Sequence, residues 1–274
     1  MRNSVTRICL VGMWLSLMVG CTVLAPTDRV EHGGGGVRID LGPIHPGARY
    51  LFYLHAKIVE EQGLPAISPE HGEYQYAAIL DRLASFGFVV VSEVRAQDAS
   101  SVLYAQRIAA QVDSLLDAGV PPEHVTVVGA SKGAYIAALV SHRVPTPGVR
   151  YVILSMCDAE TVAYMMEQGT DLHGDVLALR DAADTPDLVG SCEDLFAFSR
   201  EIGRHNEIVV DVGTGHGILY QPLDAWVLPT VRWARGAELG EAFGTAEPAA
   251  ARRRRAQASP PCPTVGVSCA PIHR

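Results

Sequence analysis

Residues 124–139 read His-Val-Thr-Val-Val-Gly-Ala-Ser-Lys-Gly-Ala-Tyr-Ile-Ala-Ala-Leu, and few folds accommodate such a stretch. A β-branched run leads into a serine held between small residues, and an alanine-rich helical pattern follows. The run reads as a buried strand, the residues after it as a helix, and the link as a turn too tight for large side chains. Gly129 and Gly133 supply the backbone freedom and close approach that such a turn needs. Ala130 and Ala134 keep its flanks small. The geometry lifts the Ser131 hydroxyl above the end of a sheet, where a base can reach it. Ser131 is therefore a candidate nucleophile.

The surrounding pattern says what kind of sheet this is. Strand-like runs occur at Arg49–His55, Phe88–Val94, His124–Val128, Val149–Met156, Val176–Leu179 and Glu207–Val212. Their Val, Ile, Leu and Tyr content suits strands buried on both faces, as in a parallel sheet. Helical patterns separate them at Tyr74–Phe86, Val102–Leu116, Ser131–Val144, Cys192–Ile202 and Leu223–Ala234. Alternating strands and helices predict one layered α/β domain over residues 37–235, a mostly parallel central sheet with helices on both faces. No internal repeat is evident. A formal net charge of −8 gives no indication of a nucleic-acid partner.

The ends read differently. Arg2 and Arg7 precede an apolar run from Ile8 to Val19, the pattern of a secretory signal over residues 1–20. Leu17-Met-Val-Gly-Cys21 resembles a bacterial lipobox, with Met18 departing from the usual leucine. It marks Cys21 as a lipidation candidate and predicts an exported chain, in the cell envelope or periplasm, held at a membrane surface. Residues 21–36, ending in four glycines, read as a flexible tether. After Arg235 the apolar period is lost. Residues 236–274, with Arg252–Arg255 and a Pro-rich end, read as a disordered tail. Export permits a Cys157–Cys192 bridge; two free, buried thiols are the alternative.

A serine hydroxyl needs a base. Gly213-Thr-Gly-His216-Gly217 comes directly after the last strand run, and its glycines allow an exposed loop that can turn the imidazole towards Ser131. The base in turn needs a carboxylate to orient it. Asp184, a few residues past the strand of residues 176–179, is the choice; Asp181 and Asp158 are its rivals.

The order Ser131…Asp184…His216 resembles that of the α/β-hydrolase family. Tyr53-Leu54-His55-Ala56-Lys57 is similar to the family's His-Gly segment beside the oxyanion hole, and residues 58–63 are similar to segments of bacterial relatives. The resemblance implies backbone N–H donors at Lys132 and at Ala56 or Lys57. Alanine stands where the family usually has glycine, which matters only if the site needs a positive φ. The Lys132 side chain is expected to face solvent, and Glu60 and Glu61 to lie in a solvated loop. Residues 158–175 leave room for a small helix, hence little or no lid, with Tyr164, Met165 and Met166 either lining an acyl pocket or joining the core. The resemblance thus implies a cofactor-free serine hydrolase acting on a small acyl substrate, an ester or thioester before a peptide. The alternatives are acyl transfer on the same fold and a non-catalytic envelope lipoprotein. Oligomeric state is left open.

Overall fold

A computed structural model describes residue 41 and residues 43–239 of the 274-residue chain. The signal, the tether, Cys21 and the tail beyond residue 239 lie outside the described residues.

Six strands form one parallel sheet: β1 (Tyr50–Leu54), β4 (Val89–Val91), β5 (Val125–Ala130), β6 (Arg150–Leu154), β7 (Gly174–Asp181) and β8 (Ile202–Val210). Two short strands, β2 (Ile67–Ser68) and β3 (Gly72–Glu73), make a separate antiparallel hairpin. The order in the large sheet is β4-β1-β5-β6-β7-β8. The chain moves from β1 to one edge at β4, then returns to the other side of β1 to lay down β5. The carboxyl ends of β1 and β5 therefore flank the point where the winding reverses, where open α/β sheets place their ligands.

Side-chain alternation builds two cores. Phe52, Leu54, Val127, Tyr151, Ile153 and Ala178 face one side, and Leu51, Tyr53, Val128, Val152, Leu177 and Leu179 face the other. The first side is covered by α3 (Ser101–Asp117), α4 (Lys132–Arg143), α5 (Ala159–Glu167) and α6 (Glu193–Phe198). The second is covered by α1 (Lys57–Gln62), α2 (Tyr76–Ala84) and α7 (Asp224–Ala234). Every residue of β1, β5 and β6 is buried, as strands with helices on both faces must be. Among the described residues no helix is long and apolar enough to cross a membrane.

Two departures from the sequence reading have physical reasons. Strand β8 begins at Ile202, five residues before the apolar run that announced it, so α6 ends at Phe198. An edge strand alternates exposed and half-buried residues, and its first half carries no apolar signal. Helix α1 and the β2–β3 hairpin are too short to show a period. Cys157 and Cys192 are bridged, tying the segment after β6 to the start of α6. Between β6 and β7 lies only α5, capped by the Asp158 carboxylate, which accepts from Thr161 N–H at 2.9 Å. Met165 belongs to the first core, Met166 packs against it and Tyr164 is exposed.

Candidate active site

The turn after β5 is as tight as its sequence requires. Ser131 sits at φ 52°, ψ −117°, a left-handed conformation that non-glycine residues rarely hold. A Cβ on Gly129 would lie 2.1 Å from the Gly133 carbonyl oxygen, and one on Gly133 would lie 1.9 Å from that of Leu54. Both glycines are therefore needed to fold the turn on itself and press it against the end of β1. The Ser131 N–H donates to Leu154 O at 2.9 Å, which anchors the turn to β6. Helix α4 starts at once, so the N–H groups of Lys132 and Gly133 have no carbonyl one turn earlier in the helix to receive them.

His216 lies in a 3-10 turn over Gly215–Tyr220, and its Nε2 stands 3.0 Å from Ser131 Oγ. On the other side of the ring, Nδ1 is 3.5 Å from Oδ2 of Asp184, whose side chain is buried. Neither of those two atoms has a closer polar partner. Such contacts are often long without substrate.

The rival carboxylates do other work. Asp158 caps α5. Asp181 is fully buried and accepts from the N–H groups of Ala183, Val212, Gly213, Thr214 and Gly215 and from the Thr214 hydroxyl, at 2.7–3.3 Å. Burial pushes this carboxyl up, but the backbone donors outweigh it and hold it below the usual range. Asp181 thus ties the loop carrying Asp184 to the loop carrying His216. Gly215, at φ 53°, brings the two loops together; a Cβ there would meet Ala183 O at 3.1 Å. From outside, the β2–β3 hairpin supports the His216 turn: His71 packs on Tyr220 with ring centroids 5.0 Å apart, and the Gln75 N–H donates to Tyr220 O at 2.8 Å.

In the segment expected to supply the second oxyanion donor, Ala56 has φ −68°. Alanine is unstrained there, so the missing glycine costs nothing in backbone conformation. The Ala56 N–H reaches Tyr74 Oη only at 3.5 Å, and Lys57 opens α1 with its own N–H at the helix start.

Two expectations are corrected here. Glu60 does not lie in a solvated loop: its side chain is buried on α1. The Lys132 side chain does not face solvent freely but donates to Glu60 Oε1 at 2.5 Å and to Ala99 O at 2.9 Å. Arg95, just past β4 and wholly buried, donates to Glu60 Oε2 at 2.9 Å and to the His55 carbonyl at 2.6 Å. Burial pushes the Glu60 carboxyl up, yet the bonds from Lys132 and Arg95 outweigh it and hold it low. Glu60 therefore joins the helix that starts at Lys57 to the residue that follows Ser131. Sequence reading missed this network because its members are 35 and 72 positions apart.

His55 completes the network as a neutral group. The Arg95 N–H donates to its Nε2 at 2.9 Å, leaving Nδ1 to donate to Ala56 O at 2.8 Å. Burial, then the Arg95 charge, lowers its pKa to about 3. The unfolded chain takes up this proton near pH 6.5 and the folded chain does not. Stability from this group is therefore complete above about pH 6.5 and is lost as pH falls towards 3. Chemical unfolding measured between pH 7 and pH 4 should show this loss, about 3 kcal/mol, and a His55→Gln variant should lose less over the same range.

The sheet order, the strained serine turn after β5 and the chain order Ser131, Asp184, His216 define an α/β-hydrolase fold. No family model and no curated protein matches the chain. Solved structures similar to it include an α/β-hydrolase enzyme from a Medee basin deep-sea metagenome library, at 12% identity and TM-score 0.42, covering 69% of this chain and 84% of that one. Acetyl xylan esterase 1 from a Thermoanaerobacterium species is 14% identical at TM-score 0.43, covering 70% and 77%. An acetyl xylan esterase from a Paenibacillus species is 12% identical at TM-score 0.44, covering 72% and 77%. At such distances the chemistry must be argued from the site itself.

Proposed function

We propose that the chain is a serine esterase that cleaves small acyl esters through an acyl-enzyme. The observation that carries this reading is the alignment of Ser131 Oγ, the His216 ring and the Asp184 carboxylate at 3.0 and 3.5 Å, with the serine held at φ 52°. Ser131 Oγ attacks the acyl carbonyl carbon while His216 Nε2 takes its proton. Asp184 orients the ring and stabilises its charged form. The oxyanion is received by the N–H of Lys132 and by that of Ala56 or Lys57; losing one such donor costs about 10²–10³ in rate. The ester C–O bond breaks, and the alcohol leaves with the proton from His216. Water then attacks the acyl-enzyme, giving its proton to His216; the bond between the acyl carbon and Ser131 Oγ breaks, Oγ takes the proton back from His216, and the acid is released.

Among the described residues the β6–β7 link holds one short helix, α5, which favours an open site and small or surface-presented esters. The Cys157–Cys192 bridge supports export, since such bridges persist in oxidising compartments. In this reading Cys21 carries the lipid that holds the enzyme at the envelope; palmitate incorporation lost in Cys21→Ala checks that part alone.

Fluorophosphonate labelling and p-nitrophenyl acetate hydrolysis test the activity. Both are expected in the wild-type chain and absent in Ser131→Ala. Folded wild-type protein that takes no label and releases no nitrophenol would leave a non-catalytic scaffold as the remaining reading.

A further inference from the structure

At the end of the domain away from Ser131, the last turn of α4 meets the segment that leads into β7. His142 lies on that turn; Asp171 and His173 lie just before Gly174, where β7 starts. His142 Nδ1 is 2.8 Å from Asp171 Oδ1, and His173 Nε2 is 3.5 Å from the same oxygen. One ligand atom from each residue falls within 4.8 Å of the other two. Bonds of about 2.0–2.2 Å in a tetrahedral zinc site place neighbouring donor atoms roughly 3.3 Å apart, so the three need move little to share one ion.

Two further features make this a built site. Ser141, fully buried, accepts from the His173 N–H at 2.8 Å and donates to the His173 carbonyl at 2.7 Å. The neighbouring Leu172 N–H donates to buried Ser199 Oγ at 2.8 Å. The backbone that presents Asp171 and His173 is thus pinned against α4 with no metal needed. The other nitrogen of His173, Nδ1, faces Glu201 Oε2 at 3.8 Å on an exposed side chain, which a small rotation would bring into hydrogen-bond reach as the outer carboxylate of a metal-bound imidazole. His142 and Asp171 are each about one-third exposed, which leaves room for a water as fourth ligand.

We propose that His142, Asp171 and His173 bind a divalent transition cation of zinc's class. Two imidazoles with one carboxylate suit zinc and its neighbours better than calcium or magnesium, which prefer oxygen alone. Helix α4 has 12 residues, about 18 Å at 1.5 Å per residue. The ion therefore stands far from the serine and acts as a clip, fastening α4, whose other end forms the serine turn, to β7, whose end carries Asp181.

The test uses the untagged full chain in mild detergent. Excess Zn²⁺ over chelated protein should raise the unfolding temperature by about 5 °C, and Ca²⁺ or Mg²⁺ should not. Co²⁺ should give the strong visible absorption of a four-coordinate site. His142→Ala, Asp171→Asn and His173→Ala should each lose both signals. His142→Ala changes a partly exposed residue at a helix end and should keep the fold, which circular dichroism checks. A wild-type chain that Zn²⁺ leaves unmoved, or a shift and a cobalt spectrum that survive in His142→Ala, overturns the proposal.

Discussion

Alanine in place of His216 should lower acetyl-ester turnover by about 10⁶-fold in kcat while the chain stays folded. Asparagine in place of Asp184 should lower it by about 10⁴-fold, because the ring is left in the wrong tautomer and its charged form unsupported. The informative comparison is with Asp181→Asn. Asp181 accepts six hydrogen bonds, and an amide must turn an NH₂ towards some of those donors. Buried donors left without an acceptor cost about 1–3 kcal/mol each. Asp181→Asn should therefore unfold several degrees earlier and lose activity because its loops loosen, whereas Asp184→Asn should melt near the wild-type temperature. Steady-state kcat and thermal unfolding on the same samples separate the two carboxylates. If Asp184→Asn keeps its kcat and Asp181→Asn keeps its melting temperature but not its kcat, the orienting role belongs to Asp181.

Removing Glu60 should have the largest effect on stability. Glu60→Ala leaves Arg95, wholly buried, without its counter-charge, and breaking a buried pair on one side costs about 3–5 kcal/mol. It should also lower kcat about tenfold or more, because α1 and the serine turn lose the carboxylate that joins their proposed oxyanion donors. A double variant distinguishes the two effects. Glu60→Leu with Arg95→Met replaces the pair by apolar groups of similar size, which restores stability in many proteins. Here it should return most of the melting temperature and little of the kcat. Full recovery of kcat in the double variant would reduce Glu60 to a packing residue.

The elements most legible in the sequence were those with a strong local signature. The six strands of the sheet and the serine turn after β5 follow from β-branched runs, helical periods and the steric demand of Gly129 and Gly133. The edges were less legible: β8 begins among half-exposed residues, and α1 has six residues, less than two full turns. At the site, Ser131 and His216 could be chosen by turn chemistry and loop position. Asp184 could only be ranked against Asp181, three residues away, since both come after the same strand run. Lys132 and Glu60 were misjudged for one reason. A charged side chain near a helix start normally points to water, and only a partner brought from elsewhere in the chain keeps it inside.

The sequence by itself determined the strand, the glycine-flanked serine, the helix after it, and the order in which Ser131, Asp184 and His216 occur. These rest on the sterics of a few adjacent residues and on periods of two and 3.6, which need no knowledge of distant contacts. Tertiary structure alone decided which aspartate meets His216 and which ties the loops, that Cys157 joins Cys192, and that buried Glu60 and Arg95 and half-buried Lys132 form one network. The environment of an ionisable or bridging side chain is set by residues that the sheet brings beside it, and that information lies in the packing rather than in the neighbouring sequence.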